Sequence, residues 1–353
     1  MSTYLFRPRF WLRVLLWFIV LALMWGAFRL VPPARVWTVL TGIRTDVLFM
    51  LVVLNTLILW GFGARGWLLL RALGHPIGYH RQVGYRIAAF GVNYFTPGPQ
   101  FGGEPLHVFL LKRAGVPVDV AVTAVGVDRL LEFVVNGAFL LVGVGLLSRT
   151  GLLPLRVGSS LVAGTVVLLV LPAGYLSLLA LGWSPMHRVA TWLEGRERLA
   201  GLKRAVDGVA RSEQYAYQLG QTHPGTLVLA LAISLATWVL LIGEYALMMA
   251  ALDVHPTFVQ LIIVMTAARL AFLFPSPGGL GALESGQVMV MQSLGWEPAL
   301  GLSLSLLIRA RDVLVGAVGL LLARYLLEKP AWSPAPDAPS ASYGPTRPDV
   351  HIM

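Results

Sequence analysis

Long apolar segments constrain the fold of this chain more than any other feature of its sequence. A helix that crosses the hydrocarbon core of a membrane needs about 20 predominantly apolar residues. Six segments have this length and character: 11–31, 47–70, 117–148, 157–182, 224–250 and 298–327. The sequence therefore predicts an all-α polytopic membrane protein with about six transmembrane helices.

The charge content supports the same fold class. Charged residues make up 12% of the 353 residues and apolar residues 57%, whereas soluble domains carry about 25% charged residues. The 27 basic and 17 acidic residues give a net charge of +10. In so apolar a chain, this cationic excess favours a membrane surface over nucleic acid as the partner. The chain has no cysteine, which excludes disulfides and thiolate chemistry.

Two further apolar stretches, 83–114 and 257–294, are interrupted by proline and glycine. The interruptions are Thr96-Pro97-Gly98-Pro99 with Gly102-Gly103, and Pro275-Ser276-Pro277-Gly278-Gly279. Broken backbone is tolerated at membrane depth only inside protein or beside a water-filled cavity. We therefore expect each stretch to form a re-entrant pair of half-helices. The alternative is a pair of ordinary short helices at the membrane interface.

The distribution of basic residues predicts the orientation of the chain in the membrane. With a cytoplasmic N-terminus, 18 of the 27 basic residues lie on the cytoplasmic side and five on the opposite side, in agreement with the positive-inside rule. This predicts a cytoplasmic N-terminus over 1–10 and a disordered, proline-rich cytoplasmic tail over 330–353. The segment 185–223 is predicted to be a basic amphipathic helix on the cytoplasmic membrane surface, acting either in lipid recruitment or as a solvated connector.

The two broken stretches align with each other without gaps when Pro97 is placed on Pro277. The shared pattern is P-G-x5-E-x10-G-x13-R-x2-[E/D], beginning at each of these prolines. It indicates two membrane repeats, 11–148 and 157–327. Each repeat is predicted to cross the membrane three times, and an odd number of crossings inverts the second repeat relative to the first. Inverted repeats with broken helices near the midplane are typical of transporters.

Charged residues at membrane depth mark candidate functional sites, because each costs about 2.5–3.5 kcal/mol on insertion scales. Ten lie in the apolar segments: Glu104, Asp128, Arg129, Glu132, Glu244, Arg269, Glu284, Arg309, Arg311 and Asp312. Arg129 and Glu132 are one helical turn apart, as are Arg309 and Asp312. Two interpretations stay open. These are salt bridges between helices, or the arginines face a cavity and bind an anion such as phosphate.

The residues around the breaks fit an anion site. Helix N-termini after the breaks offer N–H groups, and glycine permits close approach of a ligand to the backbone. The glycines concerned are Gly98, Gly102, Gly103, Gly278 and Gly279. Glu104 and Glu284 either cap their helices or take part in coupling or headgroup binding. Asn93 and Asn136 either satisfy broken backbone or line the cavity. Arg269 and Glu244 are expected to pair between helices.

No enzymatic signature accompanies these residues. The seven histidines show no metal-ligand spacing, and the P-loop, dinucleotide and nucleophile-elbow patterns are absent. We therefore expect neither a catalytic activity nor a cofactor or metal.

The motifs around the breaks also carry a resemblance to a known family. Asn93-Tyr94-Phe95-Thr96-Pro97-Gly98, Gly102-Gly103-Glu104-Pro105, Asp128-Arg129-x-x-Glu132 and Pro275-x-Pro277-Gly278-Gly279-x-Gly281-x-x-Glu284 resemble the lysylphosphatidylglycerol synthase transmembrane-region family, or flippase-like membrane proteins, over about 10–327. The resemblance implies a lipid-translocating domain with two re-entrant helices. Well-known members fuse it to a soluble aminoacyl-lipid synthase, whereas a proline-rich tail follows here, so a stand-alone form is expected. Other stand-alone members look associated with polyprenyl-phosphate sugar or hopanoid lipids.

The leading hypothesis is a multi-pass lipid translocase of the cytoplasmic membrane that moves an anionic or aminoacylated headgroup between leaflets. Arg129 and Arg309 would hold the phosphate, Glu104 and Glu284 would couple or gate, and the acyl chains would stay in the surrounding lipid. The expected partners are membrane lipids and not nucleic acid, and a homo-oligomer stays open. The alternatives are a secondary transporter of a small anion or amino acid, and a scaffold or intramembrane transferase in lipid biosynthesis.

Overall fold

The protein is built from helices. A computed structural model describes residues 42–96, 102–149, 155–193, 200–273, 279 and 281–328. In these residues there are eleven α-helices and no strand. They are α1 (Thr45–Ala72), α2 (Tyr79–Phe95), α3 (Gly103–Arg113), α4 (Val118–Arg149), α5 (Leu155–Ala180), α6 (Pro185–Trp192), α7 (Ala200–Thr222), α8 (Pro224–Ala250), α9 (Phe258–Phe272), α10 (Ala282–Ser293) and α11 (Pro298–Glu328).

Among the described helices, four are long and apolar enough to cross a membrane. They are α1, α4, the Gly158–Leu179 part of α5, and α8. Their outward surfaces carry large apolar side chains: Phe49, Leu171 and Val228 are each more than 60% exposed. So much exposed apolar surface is stable in lipid rather than in water. The chain is a membrane protein.

These helices confirm four of the six predicted spans by length and composition: 47–70, 117–148, 157–182 and 224–250. The last predicted span, 298–327, coincides with α11, which has 31 residues. Three charged residues at its centre, Arg309, Arg311 and Asp312, make α11 less apolar than the other four. The remaining span, 11–31, the N-terminus and the tail 330–353 lie outside the described residues.

In the residues that the structure describes, each interrupted stretch forms two short helices, as predicted. The first comprises α2 and α3, and the second comprises α9 and α10. The interruptions fall between the helices, at 96–102 and 273–281. Proline at these positions removes a backbone donor and ends a helix, which explains the breaks. Residues 97–101, 274–278 and 280 lie outside the described residues.

Outside residues 194–199, which the structure does not describe, the connector over 185–223 contains two helices, α6 and α7, where one amphipathic helix was predicted. Helix α7 packs on α4 and α5. The buried Glu213 of α7 fixes the connector: it accepts a 2.6 Å hydrogen bond from the Tyr175 hydroxyl of α5 and bonds of 3.0 and 3.1 Å from the backbone N–H groups of Met186 and His187. The carboxylate therefore satisfies free donors at the start of α6.

The helix boundaries follow the alignment seen in the sequence. With Pro97 placed on Pro277, α11 begins where α4 begins, and α8, α9 and α10 each begin one position before α1, α2 and α3. His75-Pro76 and His255-Pro256, before the two short pairs, match in the same alignment. Helices of the group α1–α4 pack on helices of the group α8–α11. Helix α1 contacts α8, α2 packs on α11, and α9 packs on α4.

Glycine permits the close crossing of α2 and α11. A Cβ atom on Gly91 would lie 2.6 Å from the backbone N of Leu320 and 2.7 Å from the carbonyl O of Gly316. A Cβ atom on Gly319 would lie 2.4 Å from the carbonyl O of Ile87. Small residues let helix backbones approach in membranes, where van der Waals packing drives helix association. This crossing carries the charged centre of α11 to the break after α2.

Candidate functional site

A buried arginine of α1 connects the carboxylates of α4 to α8. The Arg65 side chain is 2% exposed. Its Nε pairs with Oδ1 of Asp128, Nη1 donates to Ser234 Oγ at 2.9 Å, and Nη2 lies 3.2 Å from Glu132 Oε2. Each nitrogen of this guanidinium thus meets an oxygen, which a charge away from water requires.

Glu132 is the point where three arginines meet. Its Oε2 atom lies 2.5 Å from Nη2 of Arg86, 3.0 Å from Nη1 of Arg129 and 3.2 Å from Nη2 of Arg65. Arg86 also reaches Asp128 Oδ2 at 3.4 Å. The pair predicted at one helical turn, Arg129 and Glu132, is therefore present and belongs to a larger cluster.

Glu104 extends this cluster across the first break. Its Oε1 lies 2.7 Å from Nη2 of Arg129 and accepts a 3.2 Å hydrogen bond from Nδ2 of Asn93. The Asn93 Oδ1 atom accepts from the backbone N–H of Gly103 at 2.5 Å. Asn93 therefore satisfies a free donor at the start of α3 and, at the same time, orients the carboxylate. We refer to Arg65, Arg86, Glu104, Asp128, Arg129 and Glu132 as the first ion cluster.

The second break has an equivalent ion pair. Glu284 accepts from Arg309, with 2.8 Å between Oε2 and Nη2 and a second bond from Nε to Oε1. Its Oε2 also caps α10 by accepting from the backbone N–H of Gly281 at 2.9 Å. Glu284 and Arg309 occupy the positions that the alignment of the two breaks makes equivalent to Glu104 and Arg129. Glu284 combines the capping role with an ion pair.

Asp312 and Glu244 have partners other than those expected from the sequence. Asp312 pairs with the adjacent Arg311, at 2.7 Å from Nη2, and not with Arg309. The buried Glu244 pairs with Nη1 of Arg311 at 2.6 Å and accepts from Nδ2 of Asn55 at 3.0 Å. The expected pair Arg269–Glu244 is therefore wrong, and the salt bridge that one of the two interpretations places between Arg309 and Asp312 does not form among the described residues. The reason is tertiary: Arg311 lies between α8 and Asp312, whereas Arg309 faces α10. We refer to Glu244, Glu284, Arg309, Arg311 and Asp312 as the second ion cluster.

Arg269 of α9 has a different environment from the other buried arginines. Within the described residues it forms no salt bridge, and its buried Nε atom has no hydrogen-bond partner. Its guanidinium lies 4.8 Å from the centroid of the Trp238 ring, an attractive cation–π geometry. The aromatic face holds the side chain in place, and no carboxylate of the described residues lies within salt-bridge distance of its guanidinium.

A cavity of about 130 Å³ lies between the two ion clusters. Its charged and amide lining consists of Asn55, Arg86, Asn93, Arg129, Glu132, Arg269, Arg311 and Asp312. A smaller space of about 70 Å³ adjoins it, lined by Arg129, Glu132, Arg269 and Asn136. We call these two spaces the polar cavity. Four arginines and two carboxylates line its larger part, so the excess charge of the lining is positive.

The sequence-predicted site residues divide between the cavity and its supports. Arg129, Glu132, Asp312 and Asn93 line the cavity, whereas Glu104 and Asp128 lie behind its arginines and are absent from the cavity lining. Arg309 does not line it and is held by Glu284.

The glycines described near the breaks pack against the protein's own chain. A Cβ atom would lie 2.1 Å from the Ala89 carbonyl O at Gly103, 2.4 Å from Thr96 Oγ1 at Gly102 and 2.9 Å from the Ala271 carbonyl O at Gly279. Gly279 also has a φ of 65°, a conformation that favours glycine. At these three glycines it is therefore the protein's own backbone or side chain that lies close to the glycine, where the sequence led us to expect a ligand. Gly98 and Gly278 lie outside the described residues.

Arg65 and Arg86 are site residues that sequence reasoning missed. Both were counted among the 18 cytoplasmic markers because they lie near the ends of apolar stretches. Charge balance provides the signal that finds them. The ten predicted charges comprise four arginines and six carboxylates, and buried charges require partners. Adding the two arginines gives six of each sign. These twelve charges sum to zero. The lining of the cavity is nevertheless positive, because only two of the six carboxylates line it, against four of the six arginines.

Comparisons with known proteins identify the family of this chain. Residues 10–319 match the family described as lysylphosphatidylglycerol synthase TM region. Two proteins of Methanothermobacter thermautotrophicus, each described as a UPF0104 membrane protein, are similar to this chain. One is 25% identical over 285 residues, covering 76% of this chain and 82% of the relative. The other is 26% identical over 245 residues, covering 65% and 68%. No solved structure matches. With most of its length matched, the chain belongs to the lysylphosphatidylglycerol synthase TM region family.

Proposed function

We propose that this protein moves a lipid with an anionic or aminoacylated headgroup between the leaflets of the cytoplasmic membrane. The observation that carries the proposal is Arg269, a cation at the wall of the polar cavity that forms no salt bridge among the described residues and whose buried Nε atom has no hydrogen-bond partner there. Arg129 and Arg311 present further guanidinium groups to the same space. Guanidinium groups suit phosphate oxygens through paired hydrogen bonds.

The two carboxylates of the cavity would also accommodate lipid headgroups that carry an amine beside the phosphate. Glu132 and Asp312 line the same space as the four arginines. A phosphate accompanied by an amine, as in an aminoacylated lipid, would find both signs of charge there. A plain phosphate, as in a phospholipid or a polyprenyl-phosphate lipid, would use the arginines alone. The cavity therefore supports lipid phosphate as the common chemistry of the substrate.

The repeated helices supply a route for alternating access. In our proposal, α1–α4 and α8–α11 are inverted repeats, and the two short helix pairs are re-entrant from opposite faces. The packing of α2 on α11 and of α9 on α4 supports this proposal, since transporter sites form where repeats meet. Without Arg65 and Arg86, 16 basic residues remain on the proposed cytoplasmic side against five. Both termini are accordingly proposed to be cytoplasmic.

Reconstitution tests the proposal. Purified protein in vesicles should move fluorescent phosphatidylglycerol between leaflets, detected by quenching with an impermeant reductant. Arg269→Gln should slow this movement at least about tenfold, because a hydrogen bond to a charged group contributes about 1.5–3 kcal/mol and about 1.4 kcal/mol is tenfold. Arg44→Gln provides the control, since Arg44 is exposed and pairs only with Asp46 among the described acidic residues.

Two results would overturn the proposed function. One is the same lipid movement in vesicles with and without protein. The other is an unchanged rate in both Arg269→Gln and Arg129→Gln variants. Uptake of free labelled phosphate or amino acid, without lipid movement, would instead identify a secondary transporter. Covalent change of the labelled lipid would identify a transferase.

A further inference from the structure

A second, apolar groove lies beside the polar cavity. It has a volume of about 310 Å³ and lies between α1, α8 and α11, with Ile87 of α2 at its wall. Val52, Leu314 and Val318 line it and are each more than half exposed. The groove therefore opens on the outer surface of the helix bundle, which in a membrane faces lipid.

The groove and the polar cavity adjoin each other. Both are lined by Asn55, Leu59, Arg311 and Val315. At this junction Arg311 is held by Glu244 and Asp312, and Glu244 accepts from Asn55. Most of the remaining groove lining is aliphatic. The two adjoining spaces thus place a polar, cationic site next to an apolar groove, the distribution of an amphiphile.

The length of the groove fits one hydrocarbon chain. Its lining runs from Leu48 to Leu59 on α1 and from Leu307 to Val318 on α11, and the two ends are eleven residues apart in each case. At a rise of 1.5 Å per residue this is about 17 Å. Half of the hydrocarbon core of a bilayer is about 15 Å. A groove of this length accommodates one chain through the depth of one leaflet.

We infer that one hydrocarbon chain of the transported lipid lies in this groove while its phosphate headgroup occupies the polar cavity. This inference rests on the proposed function and narrows its substrate to an amphiphile with a phosphate and at least one long chain. It departs from the expectation that the chains stay in the surrounding lipid. Arg311 contacts the headgroup at the junction, and Glu244 is a positioning residue for Arg311.

Photo-crosslinking tests the inference independently of transport. The probe is phosphatidylglycerol with a diazirine in one acyl chain, present as a minor component of phosphatidylcholine nanodiscs that contain the full chain. After illumination, adducts are mapped by mass spectrometry. We expect them on groove residues such as Leu51, Val52 and Leu314 in excess over Val170 and Leu171 of α5, which are more than half exposed outside the groove. This comparison separates a bound chain from bulk lipid.

A pair of tryptophan variants provides the matched control. Val318→Trp fills the groove, whereas Leu321→Trp adds the same ring to an exposed position of α11 outside it. Val318→Trp should lower groove adducts about tenfold, equivalent to about 1.4 kcal/mol of lost binding. Leu321→Trp should leave them unchanged. Val52→Trp, on the opposite wall, replaces Val318→Trp if the latter does not purify as a monodisperse protein.

The outcomes separate the inference from the proposed function. Adducts spread equally over groove and α5 overturn the inference, even if lipid movement is present. Adducts that link residues 11–31 or a second copy of the chain to the groove overturn it too, since another segment would then occupy the space. Groove adducts without lipid movement support the binding site and contradict the translocase. Adducts lost in both tryptophan variants count against a specific groove.

Discussion

At the scale of single residues, the first ion cluster depends on carboxylates that each serve more than one arginine. Asp128 contacts Arg65 and Arg86, and Glu132 contacts those two and Arg129. The cluster contains three arginines and three carboxylates, so its formal charges balance, and a shared carboxylate stabilises more than one guanidinium group. Sharing also makes each carboxylate expensive to lose, because several guanidinium groups would then be left without compensation.

Removal of one such carboxylate should destabilise the protein strongly. Asp128→Asn removes the charge opposite the buried Arg65, and we expect the free energy of unfolding to fall by about 3–5 kcal/mol. Denaturation by sodium dodecyl sulfate, followed by tryptophan fluorescence, measures the change. Asp46→Asn should leave the transition unchanged, because Asp46 and Arg44 are both exposed. The combined substitution Arg65→Met with Asp128→Leu should cost less than Asp128→Asn. A larger cost would show that the charges themselves are required.

At the scale of the helices, the packing of α1–α4 against α8–α11 depends on close helix crossings. The α2–α11 crossing holds Gly91 against the backbone of Gly316 and Leu320. A similar contact brings Gly143 of α4 against the Thr266 side chain of α9. The atoms that face these glycines belong to backbone or to a short side chain, which cannot move aside easily. The crossings therefore tolerate little added volume.

Substitution of Gly91 tests this crossing. Gly91→Ala places a methyl group 2.6 Å from a backbone nitrogen, and overpacking of this kind typically costs about 1–3 kcal/mol. The matched control is Gly84→Ala in the same helix, where the added carbon would lie 3.6 Å from a Leu322 methyl group, an ordinary contact. Gly84→Ala should be neutral or stabilising, because alanine favours a helix by up to about 1 kcal/mol. Thermal aggregation in detergent provides the measurement. Equal stability of both variants would contradict the proposed importance of the crossing.

At the scale of the whole molecule, the proposed inversion places equivalent positions of the two repeats on opposite sides of the membrane. His75 and His255 occupy such positions, before α2 and before α9. Because the chain has no cysteine, a single introduced cysteine is the only thiol, and its side of the membrane can be determined without background.

Thiol labelling therefore tests the inverted repeat. We expect an impermeant maleimide, applied to intact cells, to label His255→Cys and to leave His75→Cys unlabelled until the cells are opened. The opposite pattern would keep the inversion and reverse the orientation. Labelling of both variants from the same side would show that the repeats are parallel, and the proposed alternating access would then be wrong. The chain without an introduced cysteine is the control for labelling that does not depend on a thiol.

The sequence by itself determined the helical membrane class, the positions of four spans, both helix breaks and the alignment of Pro97 with Pro277 that relates the two broken stretches. These features are local: a span needs a run of apolar residues, a break needs proline or glycine, and both are visible in the order of residues. The pair of Arg129 with Glu132 is local too, since one helical turn separates them.

Only the tertiary structure decided which charges meet. Arg65 and Glu132 are 67 positions apart, and Glu244 and Arg311 are also 67 apart, so the order of residues does not bring them together. Helix crossing does: it turns Arg309 toward Glu284, Arg311 toward Glu244, and Arg269 toward the polar cavity. The physical reason is that a buried charge is stabilised by the groups around it. Which groups surround it depends on how the helices pack.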